Sequence, residues 1–227
     1  MKKVITGFDI ERLRKKFLSE GKITKLLATY SAEYPEIHGE NTPEFWDEKF
    51  SGDNTTLFPM AYFRNKLVAS TIKSGDAVLN LGVGMGYLEE FILERHLSSV
   101  DLTATDFTDT ALKNLKKRFS QIKFVTTGLV PLPFPSESYD VVCLLEVLEH
   151  IAPKETFSVL NQIYSVLKPG GTAIISVPLN EGLEQMMPSN PNAHKRVYSI
   201  DLIIFEIQKA GFTVYRSEKN FCFWEFF

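Results

Sequence analysis

The sequence predicts an α/β protein: a mainly parallel sheet with helices on both faces, preceded by a helical segment. Two observations carry this. From Asp76 onward, short apolar runs alternate with amphipathic stretches, whereas the first 73 residues show no strand-like alternation. Strands separated by helices are joined by right-handed crossovers, run parallel and are buried on both sides.

In residues 1–73 the apolar spacing predicts helices over roughly 8–19, 22–33, 43–50 (after Thr42-Pro43) and 58–73. We read 1–73 as a helical extension, or cap, on a domain spanning 74–227. There, "DAVLNLG" is a strand, "GYLEEFILERH" a helix, "VDLTATD" a strand, "DTALKNLKKRF" a helix and "IKFVTTG" a strand. "SYDVVCLLE" is the fourth strand, "ETFSVLNQIYSVL" a helix, "GTAIISVP" a strand and "SIDLIIFEIQKAG" a helix. "FTVYRS" and "NFCFWEFF" close the sheet as a strand pair, and an exposed outer face on the last would suggest a homodimer. Ligands are expected at the carboxyl ends of such strands. The irregular stretch from Leu179 to Val197 is long enough to be a functional loop.

Composition narrows the function classes. The chain has 227 residues, 44% hydrophobic and 23% charged, with a net charge of -3, which suits a globular protein and gives no general attraction for nucleic acid. The basic clusters at 12–16 and 113–119 read as solvated helix faces. Two cysteines, Cys143 and Cys222, support neither a disulfide framework nor a cysteine metal site, so a reducing cytoplasm is expected. The apolar run at the start breaks at Gly7 and Asp9, and no 18-residue apolar stretch follows, so neither secretion nor a membrane span is expected.

The strongest local signal is "VLNLGVGMGY", where a strand ends in Gly82, Gly84 and Gly86 and enters a helix. Such glycines let the backbone approach a ligand, and the helix start offers unpaired N–H groups. Asp106 closes the next strand, where a carboxylate can accept both hydroxyls of a ribose. Together they indicate a nucleoside-containing cofactor. The spacing is G-x-G-x-G rather than the G-x-G-x-x-G of dinucleotide sites.

These segments, with "TATDFTDTAL", "LPFPSESYDVV", "EVLEHI", "VLKPGGTAIISVP" and "AGFTV", resemble the class I S-adenosylmethionine-dependent methyltransferases in order and spacing over about residues 65–227. The resemblance implies a Rossmann-like seven-stranded sheet with a reversed last strand. It also implies that the Gly82–Gly86 turn holds the methionine part of the cofactor, Asp106 the ribose, and Phe107 the side of the adenine. Two positions depart from the family pattern. Asn80 stands where an acid commonly attracts the cofactor's amino end, and Gly128 stands where relatives carry an acid toward the adenine, leaving the backbone of Gly128 and Leu129 to read the base. A neutral bond from Asn80 is weaker than a charge-assisted one.

Glu146 ends the fourth strand, facing the cofactor crevice, and is a candidate for contact with the cofactor. If the chain then turns helically, Glu146, Glu149 and His150 share one face, and His194 in the later loop is a fourth candidate ligand. Two carboxylates and two imidazoles suit Mg²⁺, Mn²⁺, Fe²⁺ or Zn²⁺. An ion there would lower the pKa of an acceptor hydroxyl and fix its approach. Glu-x-x-Glu-His with a later His resembles the metal set of the O-methyltransferases of ubiquinone biosynthesis and of the small-RNA 3′-terminal 2′-O-methyltransferases. In a metal-free site, His150 or His194 is the candidate general base. Trp46, Phe58 and Tyr62 are candidates for core packing or for the substrate pocket. The sequence thus favours methyl transfer to a hydroxyl of a small molecule. The competing readings are RNA 2′-O-methylation, N-methylation of an amine, and a cofactor-binding module without catalysis.

Overall fold

The structure, a computed structural model, describes residues 3–5, 41–51, 59–95, 99–179 and 193–219. The expected helices at 8–19 and 22–33, Phe58, and most of the 179–197 loop lie outside these residues. So does the closing strand at 220–227, with its reversed direction and its apolar outer face.

The described strands are β1 (Lys3–Ile5), β2 (Ala77–Leu81), β3 (Asp101–Asp106), β4 (Lys123–Thr126), β5 (Tyr139–Leu145), β6 (Leu167–Ser176) and β7 (Thr213–Arg216). They form one sheet in the order β4-β3-β2-β5-β6-β1-β7, and every described pairing is parallel. β2 to β7 coincide with the strands expected from the apolar runs. The expectation that residues 1–73 hold no strand is corrected by β1, which pairs with both β6 and β7. Three residues are too few to show a period of two, so the sequence offers no pattern to read there.

The described helices are α1 (Pro43–Ser51), α2 (Pro59–Thr71), α3 (Tyr87–Glu94), α4 (Asp109–Arg118), α5 (Thr156–Val166) and α6 (Ile200–Lys209). None is long and apolar enough to cross a membrane. Because strand side chains alternate between faces, the parallel strands supply two cores. Leu79, Leu81, Val142, Leu144, Ala173 and Ile175 face α5 and α6. Val78, Val141, Cys143, Leu145 and Ile174 point the other way, toward α3, α4 and the end of α2. Val68, Ala69 and Ile72 of α2 belong to that second cluster, so α2 is packed onto the sheet rather than held apart from it. The basic residues Lys113, Lys116, Lys117 and Arg118 line the exposed side of α4.

The turn from β2 into α3 is shaped by its glycines. Gly82, Gly84 and Gly86 have φ of 80°, 53° and 77°, in the left-handed region that costs a side-chain-bearing residue about 1–2 kcal/mol. The N–H groups of Gly82 and Val83 both donate to the Thr105 carbonyl at 2.9 Å, so the turn is pinned to the end of β3. Gly86 caps α3, and a Cβ built there would lie 2.5 Å from Leu115 Cδ2, inside the contact between α3 and α4. Gly86→Ala therefore combines backbone strain with overpacking. A loss of about 2–4 kcal/mol in unfolding free energy is expected by chemical denaturation, whereas a loss under about 0.5 kcal/mol, as at an ordinary surface site, would contradict the packing described.

Candidate active site

The carboxyl ends of β2, β3 and β5 lie side by side because β2 pairs with both neighbours. Above them opens a cavity of about 800 Å³. Its floor is Asn80, Gly82 and Gly84 from the glycine turn, Asp106 and Phe107 from the end of β3, Gly128 and Leu129 after β4, and Glu146 after β5. Each is a residue the sequence assigns to the cofactor. Gly86, assigned with them, is not in the wall and instead packs against α4. The roof comes from the helical segment: Asn41, Trp46, Arg64 and Asn65. Tyr62 does not reach the cavity but packs edge-on against Phe63 and Phe91 at ring distances of 5.6 and 5.0 Å.

Asp106 is 5% exposed. Its Oδ2 accepts from the Gly84 N–H at 3.3 Å and its Oδ1 from the Thr108 N–H at 3.2 Å, which orients the carboxylate beside the turn. Burial raises its pKa, and these hydrogen bonds oppose the rise. Phe107 is 41% exposed at the cavity edge, a flat apolar surface next to the acid. Asn80 is buried and donates from Nδ2 to Glu89 Oε1 at 2.7 Å. Neither the position of Glu89 nor the reach of Arg64 into the cavity was legible in the sequence. The i, i+4 pair Leu88 and Ile92 marks a buried face for α3 but does not show that Glu89 shares it.

Beyond β5 the chain does not turn helically at once. Glu146 has φ 55° and Val147 is non-helical, and only Leu148–His150 forms a short 3-10 turn. The expected common face of 146, 149 and 150 is therefore broken after 146. Glu146 Oε1 instead accepts from Ser176 Oγ at 2.8 Å and lies 3.7 Å from Arg64 Nη1. Glu149, His150 and His194 do converge, with one ligand atom from each within 4.8 Å of the others. His150 lines the cavity, Glu149 is 1% exposed, and Glu149 Oε2 has no hydrogen-bond partner among the described residues. The His150 and His194 rings lie 5.0 Å apart, and His150 Nδ1 is 3.3 Å from the Ala193 carbonyl. Burial first, then the neighbouring His194, pushes the His150 pKa down to about 4. Burial and Lys49 lower that of His194. Glu149 is pushed well up by burial and by Glu146. At neutral pH the two imidazoles are therefore uncharged.

Two backbone hydrogen bonds and one buried ion pair hold this group. Asn41 Nδ2 donates to the His150 carbonyl at 2.8 Å, with Trp46 Nε1 donating to Asn41 Oδ1 at 2.7 Å, and the Lys195 N–H donates to the Glu149 carbonyl at 2.8 Å. Arg196, 1% exposed, meets both Glu206 oxygens at 2.5 Å, and the Tyr198 hydroxyl donates to Glu206 Oε2 at 2.9 Å. The segment carrying His194 is thereby clamped to α6.

The fold and floor define an α/β domain with a cavity at its strand ends. Residues 78–171 match the methyltransferase domain family. It is 28% identical over 137 residues to a Mycobacterium tuberculosis protein named a probable S-adenosylmethionine-dependent methyltransferase, covering 60% of this chain and 48% of that one. It is 31% identical over 119 residues to the erythromycin 3″-O-methyltransferase of Saccharopolyspora erythraea, covering 49% and 38%. A methyltransferase structure from Archaeoglobus fulgidus superposes with a TM-score of 0.58 at 21% identity, covering 74% of this chain and 73% of that one. The chain spans about half the length of the first curated relatives it matches.

Removing one partner of a buried ion pair leaves the other charge uncompensated. Glu206→Gln is expected to lower unfolding free energy by about 3–5 kcal/mol, and amide hydrogen exchange around residues 193–199 should rise. Unchanged exchange in a destabilised variant would show that the clamp does not hold the His194 segment.

Proposed function

We propose that this chain is an S-adenosylmethionine-dependent methyltransferase acting in the cytoplasm on a hydroxyl of a small molecule, with Asn41, Trp46, Arg64 and Asn65 of the 1–73 extension as the cap over the reacting centre. The observation that carries the reading is one cavity floored by the glycine turn, Asp106 and Phe107 and bordered at its far side by His150. These residues fit the cofactor in kind: a carboxylate for a ribose diol, an aromatic edge for a base, and Arg64 for a carboxylate. When bound, the cofactor supplies an electrophilic methyl group on a sulfonium. The chain's task is to hold an acceptor oxygen in line with it and away from water. Trp46 and Asn65 in the roof offer one apolar and one hydrogen-bonding surface for that acceptor.

A second element of the reading is metal assistance, favoured by the convergence of Glu149, His150 and His194 around an unpartnered buried carboxylate oxygen. Glu146, which the sequence grouped with them, is left to Arg64 and Ser176. An imidazole with a pKa near 4 is a weak base for a hydroxyl. Against a phenol of pKa about 10, proton transfer between them is uphill by about 8 kcal/mol. Uncharged imidazoles beside a carboxylate are good ligands for a divalent ion, whose charge would lower the pKa of a hydroxyl held there. The small charge of the chain, and the burial of Arg196, support a small-molecule acceptor over RNA.

Incubation with S-adenosylmethionine and a panel of catechols, alcohols and amines is expected to yield S-adenosylhomocysteine with a hydroxyl acceptor. His150→Ala, which removes one candidate ligand, should cut kcat by about 10- to 100-fold while S-adenosylhomocysteine affinity stays within about threefold. Transfer to amines alone would replace the O-methylation reading. Calorimetric titration of Mn²⁺, Mg²⁺ and Zn²⁺ in the presence of S-adenosylhomocysteine should show one site in the wild type, weakened by about tenfold or more in His194→Ala. A wild type that binds none of the three ions would leave methyl transfer standing and remove the metal.

A further inference from the structure

The carboxylate of Glu89 has no role in the site as described so far, yet it is the most deeply buried acid near the floor. It is 0% exposed, at the third position of α3, one residue beyond the cavity-lining Leu88. Its Oε1 accepts from Asn80 Nδ2 at 2.7 Å, and that bond fixes the orientation of the Asn80 amide. Asn80 Oδ1 and Glu89 Oε2 are both buried with no hydrogen-bond partner among the described residues. Two orphaned acceptors on hydrogen-bonded side chains, one of them lining the cavity, are costly unless a donor completes them. A primary ammonium supplies what is missing, since it has three donors and a positive charge but no lone pair to clash with either oxygen.

We propose that Glu89 is a positioning residue for the amino group of the cofactor's methionine part: it supplies through Asn80 the negative charge that Asn80 itself lacks. The inference rests on the cofactor reading above. Asn80 makes the contact, accepting from the ammonium through Oδ1, while Glu89 holds the amide in that orientation and places the charge behind it. The start of α3 is a favourable place for this acid, because the unpaired N–H groups there stabilise a carboxylate.

A charge so placed makes ligand binding sensitive to pH. Burial raises the Glu89 pKa to about 7, the Asn80 hydrogen bond opposing the rise. The ionisable group that feels this carboxylate from the sheet is the Cys143 thiol of β5, itself buried and pushed up, hence uncharged near neutrality. An ammonium favours the ionised carboxylate, so ligand binding must expel the proton that Glu89 carries at lower pH. Affinity is therefore full above pH about 7 and falls by up to about tenfold per pH unit below it.

The test compares S-adenosylhomocysteine with 5′-methylthioadenosine, which keeps the nucleoside but lacks the amino-acid part, by calorimetry on wild type, Glu89→Gln and the double variant Asn80→Asp/Glu89→Gln. We expect Glu89→Gln to weaken S-adenosylhomocysteine by about tenfold or more, to leave 5′-methylthioadenosine within about twofold, and to abolish the pH dependence below 7. The double variant, which returns the charge to the strand, should recover the wild-type affinity to within about threefold. Equal weakening of both ligands in Glu89→Gln, or none, would overturn the proposal while the cofactor reading survives. Should the variants not fold, a wild-type pH profile that is the same for both ligands overturns it alone. A wild type that binds neither ligand would remove the cofactor reading itself.

Discussion

The double pairing of β2, with β3 on one side and β5 on the other, is the constraint on which the rest depends. It puts three strand ends in one row, so that the chain must leave the sheet three times within a small area. Parallel strands buried on both faces have nowhere else to keep polar chemistry. Asn80, Asp106 and Glu146 are therefore neighbours because of register, although they are spread over more than sixty positions of chain. The glycine turn reinforces the row. By donating two N–H groups to the Thr105 carbonyl it ties the first exit to the second, and a side chain at Gly82 would collide with Val147 at the third, 2.5 Å from its Cγ2.

The site divides into a floor built from those exits and a roof built from Asn41, α1 and α2, with the segment 193–199 packed beside it against His150. The floor is rigid for a simple reason: its backbone groups are bonded to adjacent strands and its side chains are packed under helices. The roof attaches differently. Asn41 donates to the His150 carbonyl and the Lys195 N–H to the Glu149 carbonyl, and Arg196 secures the far end through a buried pair with Glu206. Buried ion pairs often contribute little net stability. This one instead fixes where a short irregular segment runs, and so where His194 stands.

How much of this could be read from the chain follows from physical range. Six strands and four described helices were legible from Asp76 onward because burial on one or both faces leaves a period in the sequence. The floor residues were legible too, since a tight turn demands glycine and a strand end exposes its last acid. What escaped was set by tertiary contact. β1 is too short for periodicity, and nothing in residues 3–5 announces partners about 170 and 210 positions away. Glu146 was grouped with Glu149 and His150 on helical spacing, but its left-handed backbone is fixed by the N–H bond it makes to the Ser176 carbonyl of β6 at 3.0 Å. Nothing in the spacing around Arg64, Glu89 and Arg196 marks where they go. Only the packed structure shows the first entering the cavity and the other two buried.

The bonds that carry the roof on residues 149 and 150 have a particular character. Both use carbonyl oxygens, one accepting from Lys195 and the other from Asn41, while the side chains of the same two residues converge with His194. Attachment and reactivity are thus separated onto main chain and side chain at one short turn. A lineage that exchanged the carboxylate or the imidazole there would alter what the pocket can do without unfastening its lid. The same turn can then carry different side chains on an unchanged scaffold.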